Sequence, residues 1–189
     1  MDPVLVVYDA CVLYPAPLRD FLLHLAGVGL VRPRWTDAIH DEWIRNLLAN
    51  RPDLTRVQLE RTRDLMERAV PDALVRGYEP RIPSLTLPDA DDRHVLAAAI
   101  EAGAGVIVTF NLADFPLATT KPQGVEAVHP DAFVLSLLDA DQEAVTAAVR
   151  NQRRLLKNPP VTAPGLLATL RGQSLGQTAA RLEAVVDRI

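Results

Sequence analysis

Val4-Leu5-Val6-Val7-Tyr8-Asp9-Ala10-Cys11 is the stretch on which the reading of this chain turns. Val4–Val7 is an unbroken apolar run rich in β-branched residues, with none of the alternation of a half-exposed strand. That is the pattern of a strand buried on both faces, as in a parallel sheet covered by helices. The run leads straight into an aspartate. A carboxylate just past a buried strand is costly unless it is hydrogen-bonded or bound to a cation. Taken alone, Asp9 reads equally as a turn residue capping the next segment. Val12 and Leu13 carry the apolar character onward, however, and leave Asp9 as a polar island.

The same pattern recurs. Val106-Ile107-Val108-Thr109 is a second buried strand, followed by Asn111 and Asp114, and a third strand is expected near Val125–Val128. Between the first two, helical signals dominate. Pro17 suits the first turn of a helix closed by Gly27 and Gly29, and a short strand fits around Leu30–Arg32. Thr36 can cap a helix with an Ile39, Trp43, Leu47 stripe bordered by Glu42 and Asn46. Thr55 and Gln58 form a capping-box pair for a further helix to about Ala69. Its arginines (56, 61, 63 and 68) read mainly as a solvated face paired with Glu60, Asp64 and Glu67. Pro71–Pro88 reads as loop with a short helical turn. Asp89-Ala90-Asp91-Asp92 opens a helix closed by Gly103, and His129-Pro130-Asp131 starts another. Strands separated by helices specify an α/β three-layer domain with a parallel sheet. After Asp139 the character changes: a helix over Asp141–Lys157, a proline-rich break at 158–165, then short helices. The division expected is a domain over 1–139 and a helical C-terminal region over 140–189.

With 189 residues, 49% of them hydrophobic, the chain can build a real core. Its apolar runs are too short to span a bilayer, and Met1-Asp2-Pro3 lacks the basic start of a signal peptide. One cysteine, Cys11, rules out an internal disulfide and fits a reducing compartment. A cytoplasmic location and no membrane contact are expected. The lone thiol and four histidines also exclude a zinc-finger framework. No glycine cradle for nucleotide phosphates is present. Cys11 reads as a small buried hydrophobe, and His94 as an exposed helix residue. The net charge of −4 argues against a grip on nucleic acid by the whole surface, and it raises the question of where the acids gather.

Singly, each acid has an ordinary explanation. Glu42 can pair with Arg45; among Asp89, Asp91 and Asp92, one can cap the helix while the others suit its dipole; Asp114 can form an Asx-turn. Together, acids at two strand ends, on a helix face and at a helix start match what a magnesium or manganese pocket requires. Hard cations take oxygen ligands, and clustered carboxylates repel unless a cation is present. The chemistry of such a pocket is metal-assisted hydrolysis of phosphodiesters.

Val6 to Leu13, the helix with Asp41-Glu42-Trp43, the run from Asp89 to Ala98, and Val106 to Phe115 together resemble the PIN-domain family, most closely its bacterial VapC-type toxins. The resemblance spans roughly Val4 to Leu138. It implies a PIN-like three-layer α/β/α domain with a central parallel sheet, carrying a helical C-terminal appendage. It also implies a Mg²⁺- or Mn²⁺-dependent endoribonuclease acting on RNA, with a cognate antitoxin protein and, by analogy, a homodimer. By position, Asp9, Glu42 and Asp92 are the metal-ligating acids, with Asp91 and Asp89 the fallback in a shifted register. The family's fourth acid stands two residues after the strand-end threonine, where this chain has Asn111. The fourth position therefore falls to Asn111, as a water or metal contact, or to Asp114, as the charge. Two rivals follow: a degenerate PIN fold that binds RNA or protein without cutting, which Asn111 favours, and a phosphatase acting on small phosphate esters.

Overall fold

The computed structural model describes residues 2–189. The first strand, β1 (Val4–Tyr8), ends in Val6, Val7 and Tyr8, all with no exposed surface. Three consecutive buried side chains point to alternating faces, so both faces of the sheet are covered. A four-residue helix, α1 (Ala10–Leu13), follows at once with Asp9 as its N-cap. Its single turn is too short to show periodicity in the sequence. Pro17 stands in the first turn of α2 (Ala16–Gly27), after which the chain enters β2 (Val31–Arg34).

Thr36 Oγ1 accepts the Ile39 N–H at 3.1 Å and starts α3 (Asp37–Asn50). The expected Thr55–Gln58 capping box starts α4 (Arg56–Ala69). The proline-rich stretch contains one short 3₁₀ turn, Glu79–Ser84. Next comes α5 (Arg93–Ala102), ended by Gly103 at φ +67°, a left-handed conformation that suits a residue without Cβ. Then follow β3 (Val106–Val108), α6 (Leu117–Thr120) and β4 (Glu126–Val128).

All strand pairs are parallel, and the sheet order is β2-β1-β3-β4. After β1 the chain moves to one side, to β2, and then returns past β1 to place β3 on the other. β1 and β3 therefore flank the switch point of the sheet, the crevice where open α/β sheets bind ligands. Asp9 leaves β1 there, and Thr109 leaves β3 there; the Asp9 N–H donates to the Val108 carbonyl at 3.2 Å.

The C-terminal region is α7 (Pro130–Ala140), α8 (Gln142–Leu155), α9 (Ala163–Gly172) and α10 (Gly176–Glu183). α8 is shorter than expected at both ends, since Asp141 is its cap, accepting the Ala144 N–H at 2.9 Å. α8 packs along α2, and α10 packs on α7 and α9. The buried Asp131 of α7 accepts the backbone N–H groups of Gln177 and Thr178 at 3.0 and 2.9 Å. It thus caps α10, whose own N-cap, Leu175, has no side chain able to do so. Among the described residues no helix is long and apolar enough to cross a membrane.

Candidate active site

Asp9 is 2% exposed. Its carboxylate is held by three donors: Ala10 N–H at 2.6 Å on Oδ1, and Thr109 Oγ1 at 2.6 Å and Cys11 Sγ at 3.2 Å on Oδ2. Burial pushes its pKa upward and Glu42 adds to this, while the bonds from Thr109, Cys11 and Ala10 oppose it. Thr109 Oγ1 also accepts the Asn111 N–H at 3.0 Å and lies 3.3 Å from Cys11 Sγ. Cys11 Sγ further accepts the Phe110 N–H at 3.2 Å. The thiol is therefore no mere apolar filler, as its sequence context suggested. It is partly exposed and cross-links the two strand ends. Burial and the charge of Asp9 raise its pKa to about 12, so it stays a thiol and can donate.

Asp92 occupies the N-cap position of α5 yet makes no capping hydrogen bond. The ordinary role available to it in the sequence is unused. Its pKa is raised to about 7, first by burial, then by the charges of Asp9, Asp114, Asp89 and Glu42. The fold thus brings Asp9, Glu42, Asp92 and Asp114, from four separate segments, within electrostatic range of one another. Asp89 joins from its loop, although its Oδ1 is engaged by the Asp91 N–H at 2.8 Å. Asp91 is exposed and is not among the charges acting on Asp92. Asn111 is exposed too, while the partly buried Asp114 is one of them.

Glu42 lies 3.6 Å from the Nε2 of His94, not against Arg45. His94 is 17% exposed, and its buried Nδ1 has no hydrogen-bond partner among the described residues. It is not the exposed helix residue expected. The signal that could have placed it inward is Ala97 and Ala98, at i+3 and i+4, since α5 is buried on nearly every face.

Two further groups brace the site. Arg19 is buried, donates to the Leu13 carbonyl at 2.6 Å, and stacks over Trp43, the neighbour of Glu42, at 4.9 Å from the ring centre. It ties the Asp9 turn to the Glu42 helix. On α4, Arg63 bonds Asp37 and Glu67, fixing α4 against α3.

Among the described residues no three His, Cys, Asp or Glu side chains converge closely enough to hold a metal ion as they stand. The donor chemistry nevertheless fits a hard divalent cation. Every charged donor is a carboxylate, and the Asp92 carboxyl is held near neutrality by burial and uncompensated acids.

A PIN-domain family model matches residues 5–113, and a VapC50 C-terminal domain model matches residues 130–184. "Putative ribonuclease VapC50" of Mycobacterium tuberculosis (strain ATCC 25618 / H37Rv) is 44% identical over 90 residues, 48% of this chain and 53% of that protein. The chain spans about half the length of that curated relative. No solved structure matches the chain. With more than half of its residues matched, an all-parallel sheet and acids at the switch point, the chain belongs to the PIN-domain family.

Proposed function

We propose that this chain is a divalent-metal-dependent endoribonuclease, the toxin of a toxin–antitoxin pair, with RNA as substrate and a cognate antitoxin as protein partner. The carrying observation is the Asp92 carboxyl: half-buried, within electrostatic range of Asp9, Glu42 and Asp114, free of any capping duty, and raised to about 7 first by burial and then by the surrounding acids. The name of the relative in M. tuberculosis, a ribonuclease of VapC type, supports the reaction class.

Asp9, Glu42 and Asp92 would hold Mg²⁺ or Mn²⁺, with Asp114 supplying the fourth charge and Asn111 a neutral contact at the exposed rim. When bound, the cation supplies an activated water and neutralises charge on the phosphodiester. The chain's own part is positioning. Thr109, Cys11 and the Ala10 N–H fix both oxygens of Asp9. His94 stands behind Glu42. Arg19 and Trp43 hold the two acid-bearing elements in register. The unit responsible is residues 1–139, with 140–189 as the helical appendage, acting in the cytoplasm; a homodimer is the expected assembly.

A second reading keeps the fold but not the reaction: an RNA- or protein-binding module, favoured by Asn111 at the fourth acid's place. Calorimetric titration with Mn²⁺ separates the two, because a scaffold has no use for a divalent site. Cleavage of a structured RNA that requires Mg²⁺ or Mn²⁺ and stops in EDTA supports the nuclease. Turnover of a model phosphate ester without RNA cleavage would point to the phosphatase instead.

A further inference from the structure

The two parts of the chain differ in charge. Residues 1–139 carry 13 arginines and lysines against 20 acids, a net −7, whereas residues 140–189 carry seven against four, a net +3. Within the C-terminal region most cations are engaged. Arg171 pairs with Glu183, Arg181 with Asp139 and Arg188 with Glu143, and Arg150 donates to the Arg188 carbonyl. The remaining three, Arg153, Arg154 and Lys157, have no ion pair among the described residues, and they fall within five positions at the C-terminal end of α8. Arg154 and Lys157 are exposed, and the buried Nε of Arg153 has no hydrogen-bond partner among the described residues. Cations suit the negative end of a helix dipole, but that preference does not require three together with no acid beside them.

Their location gives them a use. The buried Gln152 donates to the carbonyl of Pro17 at 3.0 Å, which pins the end of α8 to the start of α2. The start of α2 lies at the carboxyl end of β1, the end where Asp9 and Asp92 gather. Asn151, Arg154, Leu155 and Lys157 line an open depression of about 430 Å³ at that end of α8. An acidic pocket repels a polyanion, so a substrate strand needs cations beside the pocket to hold it.

We propose that Arg153, Arg154 and Lys157 form a docking surface for the phosphate backbone of the RNA strand flanking the cleaved bond, which gives the C-terminal appendage its function. The proposal rests on the ribonuclease reading above. Arginine offers a forked contact to phosphate, and lysine a point charge. The surface reads no base and so contributes affinity without sequence preference.

The test measures binding of a fluorescein-labelled single-stranded RNA by anisotropy across a salt series, in the Asp92→Asn background. Each phosphate contact on a single strand contributes about 0.7 to the slope of log affinity against log salt. Arg153→Gln/Arg154→Gln/Lys157→Gln is expected to lower that slope by about 2 and to weaken binding about tenfold at moderate salt. In the cleavage assay, with the native site, KM rises and kcat is unchanged. Should the triple variant misfold, Arg154→Gln/Lys157→Gln, both exposed, is expected to lose about two-thirds of the effect. Arg61→Gln/Arg68→Gln on α4 is the control and keeps the native slope. RNA bound and cut with unchanged slope and KM in the α8 variants would overturn the surface while leaving the ribonuclease standing, as would a loss confined to the α4 control. Absence of any RNA binding or cleavage by the parent protein would overturn both.

Discussion

At pH 8 in EDTA, Asp92→Asn is expected to be more stable than the native chain. The Asp92 carboxyl has a pKa of about 7 in the folded state, against 3.8 when free of its surroundings, with burial the first cause and Asp9, Asp114, Asp89 and Glu42 following. The folded protein therefore binds this proton more tightly than the unfolded chain does. Its stabilising contribution is complete below pH 3.8 and is lost as pH rises through 7. A carboxyl moved this far represents about 4 kcal/mol once ionised. Asp92 keeps some contact with water, which screens the repulsion and brings the figure to about 2 kcal/mol. Asparagine cannot ionise and escapes that loss. For a chain of this size, 2 kcal/mol corresponds to about 4–8 °C in melting temperature. Thermal denaturation at pH 4 and pH 8 measures it: the variant should gain at pH 8 and show little difference at pH 4. Millimolar Mg²⁺ should then stabilise the native chain but not the variant, closing the gap. A variant no more stable than the native chain at pH 8, or a difference independent of pH, would refute the account of the acids as mutually repelling.

Thr109→Val, which removes the 2.6 Å bond to Asp9 Oδ2 and the acceptor for the Asn111 N–H, is expected to cost about 1–3 kcal/mol in urea denaturation. Because that bond favours the ionised form of Asp9, the acid limb of the pH–activity profile should also move to higher pH. His40, fully buried, accepts the Trp43 Nε1–H on Nδ1, and its pKa is lowered to about 4, chiefly by burial. The unfolded chain thus binds its proton first. Stability is complete above pH 6.5 and falls by about 2–3 kcal/mol as pH drops to 4; NMR should show the imidazole still neutral at pH 5.5. Asp131→Ala removes the cap that α7 provides for α10, and should cost about 1.5–3 kcal/mol. Hydrogen exchange should locate that loss at Gln177 and Thr178.

What the sequence made legible was local or periodic. The strand over Val4–Val7 needed only its unbroken apolar run, and the starts of α3 and α4 needed only Thr36, Thr55 and Gln58 at capping distance from their helices. Asp9 drew attention because an acid just past a buried strand has a cost, whereas Asp92, with an ordinary capping role open to it, was singled out only by the resemblance to the PIN-domain family. The bonds that assemble the site were not legible, since they join residues far apart in the chain. Thr109 and Asp9 are separated by 100 residues, and the Asp131–Thr178 cap by 47. Cys11 looked apolar because its role depends on Phe110 and Thr109 arriving from β3. His94 looked exposed because its partner, Glu42, comes from α3. The direction in which the chain returns past β1, which creates the switch point, is a property of topology that no local pattern encodes.

The most direct test of the acidic centre is cleavage of an end-labelled structured RNA by the purified chain in Mg²⁺, in Mn²⁺ and in EDTA, beside Asp9→Ala and Asp92→Asn. Cleavage that needs the metal and is lost in both folded variants, about 100-fold or more as expected for removal of a charge acting at the transition state, is the predicted result. Cleavage that survives both substitutions, or that proceeds unchanged in EDTA, would contradict it.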